Sequence, residues 1–114
     1  MAGTLLLSRK LQNLVRKRIA SPENYVFTIR NIIINGAKRG CSGFIRNTSN
    51  NTCVYVNTER SVYSGVKNYM CRFADNEKDY SGYQNRWADT PEELVTGIIN
   101  LLHSSPAAEH DCRI

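Results

Sequence analysis

The sequence predicts a two-layer α+β domain in which an N-terminal helix and a C-terminal helix pack on a four-stranded antiparallel meander. Three observations predict this class: an amphipathic pattern over residues 4–20, a helix-start signal at Thr90, and short alternating apolar segments between them. A length of 114 residues allows one independent core. We therefore expect a single domain over residues 1–103 and a flexible tail over residues 104–114.

The first helix is predicted over residues 4–20 from apolar residues at the spacing of one helical face: Leu7, Leu11, Leu14, Val15 and Ile19. The basic residues of this segment fall beside that stripe and would form a cationic ridge: Arg9, Lys10, Arg16, Lys17 and Arg18. The helix should end at Ser21-Pro22, because the residue before a proline is pushed away from the α region.

Residues 25–34 are predicted to form the first strand, because apolar and polar side chains alternate along them. One face would carry Tyr25, Phe27, Ile29 and Ile33, and the other Thr28 and Arg30. Asn35-Gly36 follows directly and is typical of the tight turn of a β-hairpin, which requires positive φ angles. The chain should therefore return as a second strand through residues 37–46.

The remaining strands are shorter and follow polar turns. Gly40 and Gly43 predict bulges in the second strand. Residues 47–51 consist of Asn, Thr and Ser, which favour turns, and residues 53–56 beyond them predict a third strand. Residues 69–73 alternate again and predict a fourth strand. Since turns join successive strands, the expected sheet is an antiparallel meander.

A long polar and acidic loop is predicted over residues 75–89, ahead of the second helix. The signal that starts this helix is Thr90-Pro91-Glu92-Glu93. Thr90 would be the N-cap, Pro91 stands where no amide donor is needed, and Glu93 would close a capping box. The buried stripe of the helix would contain Leu94, Val95, Ile98, Leu101 and Leu102.

The charge of the chain is divided unequally between its halves. Residues 1–57 carry nine Lys or Arg and one acid, whereas residues 58–114 carry six Lys or Arg and nine acids. These are net charges of +8 and −3, in agreement with the overall +5. Partners should therefore bind one face of the protein, and the basic half would suit RNA, DNA or a ribonucleoprotein.

The cationic ridge has three interpretations: contact with phosphates, a solvated helix face, and contact with a membrane surface, which is the least favoured. No membrane partner is expected. Lys38, Arg39 and Arg46 lie in the same basic half, so the patch would become large if they shared the side of the ridge. The glycines of residues 35–43 could let backbone amides cradle a phosphate, although a bulged hairpin needs glycines for its geometry alone.

Aromatic residues are concentrated in and beside the acidic loop. Tyr80, Tyr83, Arg86 and Trp87 could anchor a protein interface, because aromatic side chains and arginine dominate the buried centres of interfaces. The alternative is that Trp87 covers the bottom of the core while the tyrosines pack on the sheet.

The sequence contains no catalytic, cofactor-binding or metal-binding signature, and we expect a protein that is not an enzyme. Cys41 or Cys71 would need His103 as a base, or Asp75 would have to pair with Asp79, and no spacing specifies either arrangement. Free thiols in a reducing compartment are predicted for Cys41, Cys53, Cys71 and Cys112. The apolar run near the N-terminus is too short for a secretion signal, so a cytoplasmic location is expected.

Three segments of the chain carry a resemblance to known proteins: residues 35–46, 53–59 and 69–87. They resemble small proteins encoded by bacterial phages and other mobile elements, some of which are anti-CRISPR inhibitors. The resemblance implies a small α+β domain that binds a host effector without catalysing a reaction. Many such inhibitors are acidic mimics of nucleic acid, whereas this chain is basic in its first half. The implied partner is therefore a guide RNA or an acidic protein surface.

Together these observations favour a non-enzymatic inhibitor that occupies the surface of a CRISPR-type effector complex. The basic residues of the helix and hairpin would steer association, and the aromatic residues would anchor it. The alternative is a small basic DNA- or RNA-binding protein that contacts phosphates through the first helix and residues 36–46. An exposed sheet edge would also permit a homodimer.

Overall fold

Five strands form one antiparallel sheet in the part of the chain that the structure describes. The computed structural model describes residues 5–59, 69–80 and 82–104. The strands follow chain order across the sheet, and each is hydrogen-bonded to the next. The elements are α1 (Ser8–Arg16), β1 (Tyr25–Ile34), β2 (Ala37–Asn47), β3 (Thr52–Asn57), β4 (Tyr69–Ala74), β5 (Tyr83–Ala88) and α2 (Pro91–Leu102), with a 3₁₀ turn at Pro22–Asn24. The predicted α+β class and its meander are confirmed.

The fifth strand, β5, lies where the sequence predicts a loop. It pairs with β4, placing Tyr83 opposite Phe73 and Ala88 opposite Tyr69. None of its side chains is fully buried, and the positive φ angle of Gln84 (59°) accompanies a register shift against β4. Tyr83 and Ala88, at the two ends of β5, pack against the hydrophobic core, whereas the four residues between them bury no apolar side chain, so β5 lacks the apolar alternation of a half-buried strand. The sequence therefore does not reveal this strand, and its prediction as a loop is wrong.

The β1–β2 hairpin turns at Asn35-Gly36, whose φ angles of 52° and 80° confirm the predicted tight turn. The register shifts beside Gly40, which leaves Arg39 as the extra residue of a bulge and confirms the bulge predicted there. Beyond this bulge Ile33 is 61% exposed. Its predicted place on the buried face is wrong, because the strand has changed register and its end is not covered by the helices.

Gly43 does not form the bulge that its position predicts. It pairs in register with Ile29 on β1 and with Val56 on β3. A Cβ atom at this position would overlap the carbonyl oxygen of Thr28. The close approach of the β1 backbone, rather than a bulge, therefore requires glycine here.

Both helices pack on the same face of the sheet. α1 is shorter than predicted, and it ends at Arg16. α2 begins at the predicted N-cap, where the Glu93 N–H donates to Thr90 Oγ1 (3.1 Å). Its predicted stripe is buried as expected, and the core that it shares with α1 and the sheet includes Leu11, Val15, Ile45, Val54, Val56, Phe73, Leu94, Ile98, Leu101 and Leu102.

The opposite face of the sheet carries a second, smaller cluster that neither α1 nor α2 covers. Its buried members are Phe44, Cys53, Tyr55, Met70 and Ala74. Residues 75–80, which follow β4, fold back over this face in place of a helix. Tyr80 packs on Phe44 and Tyr55, with ring centroids 5.3 and 5.9 Å apart. This face of the sheet is therefore partly covered and partly open to solvent.

Some predictions fall on residues that the structure does not describe. Residue 4 of the predicted first helix, residues 105–114 of the predicted tail, and Cys112 within them lie outside the described ranges. Among the residues that are described, no helix has both the length and the apolar character needed to cross a membrane.

Candidate functional site

The cationic ridge of α1 and the turn after it is exposed along its whole length. Two of its members, Arg16 and Arg18, make contacts with neighbouring side chains. The Arg16 guanidinium lies 4.6 Å from the centre of the Phe27 ring and donates to Gln12 Oε1 (3.2 Å). Arg18 donates to Thr96 Oγ1 of α2 (2.8 Å). These contacts hold one end of the ridge against the sheet and the second helix.

The other members of the ridge, Arg9, Lys10 and Lys17, are the unpaired ridge cations. Within the described ranges they make no hydrogen bond or ion pair with their side chains, and the first turn of α1 contains no acid. Leu11 and Val15 on the other side of the helix are fully buried. The unpaired ridge cations are therefore held on a rigid support while their charge stays in solvent.

Arg46 lies on the opposite face of the sheet from α1 and is already engaged. Its Nε and Nη2 atoms donate to the two carboxylate oxygens of Glu77 (2.7 and 2.9 Å), and its Nη1 donates to Asn51 Oδ1 (2.6 Å). This hydrogen bonding raises the pKa of Arg46 and lowers the pKa of the Glu77 carboxyl. Arg46 therefore does not extend the ridge, and the large shared patch is not formed through it.

The other hairpin cations lie near the bulge of β2. Lys38 is exposed and pairs with Ile33 on β1. Arg39 is half-buried, and its Nε atom has no hydrogen-bond partner in the described part of the chain. A Cβ atom on Gly40 would lie 2.5 Å from the carbonyl oxygen of Thr58. The glycines of the hairpin are thus explained by its turn and its packing, which favours the hairpin interpretation over the phosphate cradle.

The four predicted interface anchors do not form one surface. Tyr83 is half-buried and packs on Phe73, with ring centroids 5.6 Å apart, on the side of the main core. Tyr80 lies over the opposite face and is 63% exposed. Arg86 and Trp87 are exposed on the edge strand β5, and Trp87 is 67% exposed. The interpretation that Trp87 covers the core is therefore wrong, because β5 places it beyond the buried part of the sheet.

A hollow lies on the sheet face opposite the helices, beside Tyr80, and we call it the Arg30 hollow. It holds about 300 Å³ and is lined by Thr28, Arg30, Ser42, Gly43, Phe44, Glu77 and Tyr80. Sequence reasoning did not select Thr28 or Arg30 as functional, and it considered Ser42 only as part of the possible phosphate cradle of residues 35–43. Two features of the sequence could have located this hollow. The alternation of β1 puts Thr28 and Arg30 on one face, and the hairpin turn fixes which residues of β2 lie beside them.

The three cysteine thiols in the described ranges are not poised for nucleophilic chemistry. Burial raises the pKa of Cys53 to about 11 and that of Cys71 to about 12, and it also raises the pKa of Cys41. His103 Nε2 lies 3.1 Å from the Tyr25 hydroxyl, so neither suggested Cys–His pair is formed. Asp79 accepts from the Asp75 backbone N–H (2.9 Å), which orders the loop instead of pairing two carboxyl groups.

The structure therefore places two candidate binding surfaces on either side of β1: the unpaired ridge cations and the Arg30 hollow. Among the described residues, no group of three or more His, Cys, Asp and Glu side chains could hold a metal ion. No protein-family model matches the chain, and no curated protein or solved structure matches it either.

Proposed function

We propose that this protein is a binding protein that docks on the nucleic-acid component of a CRISPR-type ribonucleoprotein effector and inhibits the effector by occupying that surface. The observation that carries the proposal is the set of unpaired ridge cations, Arg9, Lys10 and Lys17. They lie on α1 and at the residue that follows it, in solvent, and none of them forms an ion pair with an acid in the described ranges.

Phosphates are the natural partner of such a surface. Each phosphate that a lysine or arginine neutralises releases a condensed counterion, which supplies affinity without any sequence-specific contact. No existing ion pair has to be broken when the unpaired ridge cations bind a phosphate. α1 is also fixed by its buried face and by the bond from Arg18 to Thr96, so little order has to be gained on binding.

A binding role also agrees with the state of the cysteines. The raised pKa values of Cys41, Cys53 and Cys71 keep these thiols protonated and weakly reactive at neutral pH. The choice of a CRISPR-type effector rests on the resemblance of residues 35–46, 53–59 and 69–87 to mobile-element proteins. The choice of nucleic acid as the contacted component rests on the charge of α1.

The second candidate function is direct binding of free DNA or RNA. It is favoured by Arg30, a further exposed cation that makes no hydrogen bond or ion pair in the described ranges. Arg30 faces the other side of β1 from the ridge. Cations on both sides of one edge strand would let a single nucleic acid strand wrap around that edge.

The test uses the matched variants Lys10→Glu and Lys78→Glu, which change the net charge equally. Lys10 lies in the first turn of α1, where an acid is favoured by the helix dipole, so loss of binding by Lys10→Glu would not come from loss of the helix. Lys78 is exposed on the loop after β4, away from the ridge. Binding of purified CRISPR ribonucleoprotein effectors and of their free guide RNA would be followed by biolayer interferometry, with target-DNA cleavage as the functional readout.

We expect at least one effector to bind the wild-type protein, to lose cleavage activity, and to bind Lys10→Glu more weakly than Lys78→Glu. Equal binding of the two variants would contradict the role of the ridge. Binding of free RNA or DNA with a steep salt dependence, and no inhibition of any effector, would instead establish the second candidate function.

A further inference from the structure

We propose that the Arg30 hollow binds one unpaired nucleotide of a single-stranded nucleic acid, with the base against Tyr80 and a phosphate at Arg30. This proposal rests on the nucleic-acid contact proposed for α1. It adds a second site, on the opposite face of the sheet, and a preference for single strands over duplexes.

The charge of the hollow favours an anion. Glu77 is the one carboxylate among the residues that line it, and both of its oxygens already accept from Arg46 (2.7 and 2.9 Å). Arg30 is exposed and makes no ion pair in the described ranges. With Glu77 neutralised by Arg46, the lining carries the uncompensated charge of Arg30, which is the requirement for holding a phosphate.

Two hydroxyl groups lie beside Arg30. Arg30 pairs with Ser42 across the hairpin, and Thr28 is two residues along the same strand, so all three side chains are on one face. Neither hydroxyl makes a hydrogen bond within the part of the chain that the structure describes. Serine and threonine hydroxyls are common donors to phosphate and sugar oxygens in nucleic-acid complexes.

Tyr80 supplies an aromatic platform that is fixed in place and still accessible. Its ring packs against Phe44 and Tyr55 at interplanar angles of 66° and 79°. Its backbone carbonyl accepts from Arg72 Nη2 (2.6 Å), while the residue stays 63% exposed. An ordered ring with an accessible surface suits base stacking, since every base has a π-face.

Size and position fit one nucleotide on a longer strand. A volume of about 300 Å³ is at the small end of ligand pockets. β1 is an edge strand of the sheet. Asn31, the residue after Arg30 on this strand, lines the groove between α1 and β1 together with Arg9. A strand bound along Arg9 can therefore pass over the edge of β1 to Arg30. A duplex could not present an unpaired base to Tyr80.

The experiment measures the fluorescence anisotropy of labelled single-stranded RNA and DNA oligomers and of the matching duplexes. Tyr80→Leu keeps an apolar cover over Phe44 and Tyr55 but removes the aromatic face. Arg30→Ala removes the phosphate contact, and Lys78→Ala is the control, because it removes one exposed cation of the nearby loop outside the hollow. Thermal unfolding followed by circular dichroism checks that each variant is folded.

We expect single strands to bind more tightly than duplexes, and Tyr80→Leu to weaken single-strand binding by about tenfold. Arg30→Ala should weaken it more than Lys78→Ala does. In the wild-type protein, oligomers that contain 4-thiouridine should photo-crosslink to Tyr80, a readout that needs no variant to fold.

Equal affinity for single strands and duplexes, or crosslinks confined to α1, would overturn the inference. If Lys10→Glu weakens binding while Tyr80→Leu and Arg30→Ala behave like Lys78→Ala, the ridge is a nucleic-acid site and the hollow is not. If the wild-type protein binds no oligomer, the hollow is also rejected, and the proposed function is then judged separately by inhibition of effector cleavage.

Discussion

Arg46 and Lys10 are both cations of the basic half of the chain, yet folding gives them opposite surroundings. Arg46 is half-buried, with 20% of its side chain exposed, and it makes two hydrogen bonds to Glu77. Lys10 lies in solvent and makes no side-chain bond within the described ranges. A cation can therefore contribute to stability or remain available for a partner, and its charge in the sequence does not decide which.

The largest effect is expected from Arg46→Glu compared with Lys10→Glu, since both substitutions change the net charge equally. Arg46→Glu removes a bidentate pair and places two carboxylates together, which should lower the free energy of unfolding by about 2 kcal/mol. Lys10→Glu should change it by less than about 0.5 kcal/mol. Urea denaturation measures both free energies, and equal destabilisation would contradict the difference between Arg46 and Lys10.

A smaller change in the free energy of unfolding is expected for the double variant Arg46→Glu with Glu77→Arg, in which the two partners are exchanged. The pair is re-formed with reversed direction, so the free energy of unfolding should recover about 1 kcal/mol of the loss in Arg46→Glu. The contact of Arg46 with Asn51 is not restored, and recovery should therefore be incomplete. If the two substitutions are simply additive in urea denaturation, Arg46 and Glu77 do not stabilise the fold as a pair.

The contribution of the Arg46–Glu77 pair to the free energy of unfolding should depend on pH. The pKa of Glu77 is lower in the folded protein, because Arg46 donates hydrogen bonds to its carboxylate. Its contribution is therefore present above the ordinary value of 4.5 and is lost as the pH falls through the lower folded value. The wild-type protein should exceed Glu77→Gln in free energy of unfolding by less than about 1 kcal/mol at pH 7, and the gap should close in acid. A gap that widens in acid would contradict this assignment.

The smallest effect on stability is expected for Lys10→Ala, which should leave the unfolding midpoint nearly unchanged. On binding to nucleic acid, the same variant should reduce the slope of log affinity against log salt concentration by about one. Lys78→Ala is the control, because Lys78 is exposed on the loop after β4, away from the ridge, and the slope of this variant should match the wild type. An unchanged slope for Lys10→Ala would show that Lys10 contacts no phosphate.

The elements that sequence reasoning predicted correctly have local causes. Asn35-Gly36 adopts the turn that its backbone preferences favour, and Thr90 caps α2 through a residue three positions away. The stripe of α2 and the exposed ridge of α1 follow from helical periodicity.

The predictions that failed depend on what covers each strand. Ile33 alternates like a buried residue, but it lies beyond the bulge near the end of the hairpin and is exposed. β5 has no apolar alternation because its contacts with the main core are made by Tyr83 and Ala88 at its two ends, and Trp87 between them is exposed. Which part of a strand is covered cannot be recognised from the residues of that strand alone.

Two amphipathic helices, a hairpin with its turn and a basic first half can all be predicted from the amino-acid sequence. These features depend on residues within a few positions of one another. Folding brings Glu77 to Arg46, 31 residues away, and packs Tyr80 over Phe44 to form the Arg30 hollow, and no local pattern predicts either contact. Such contacts are set by sheet register and chain reversal, which bring distant residues together and leave the unpaired ridge cations in solvent.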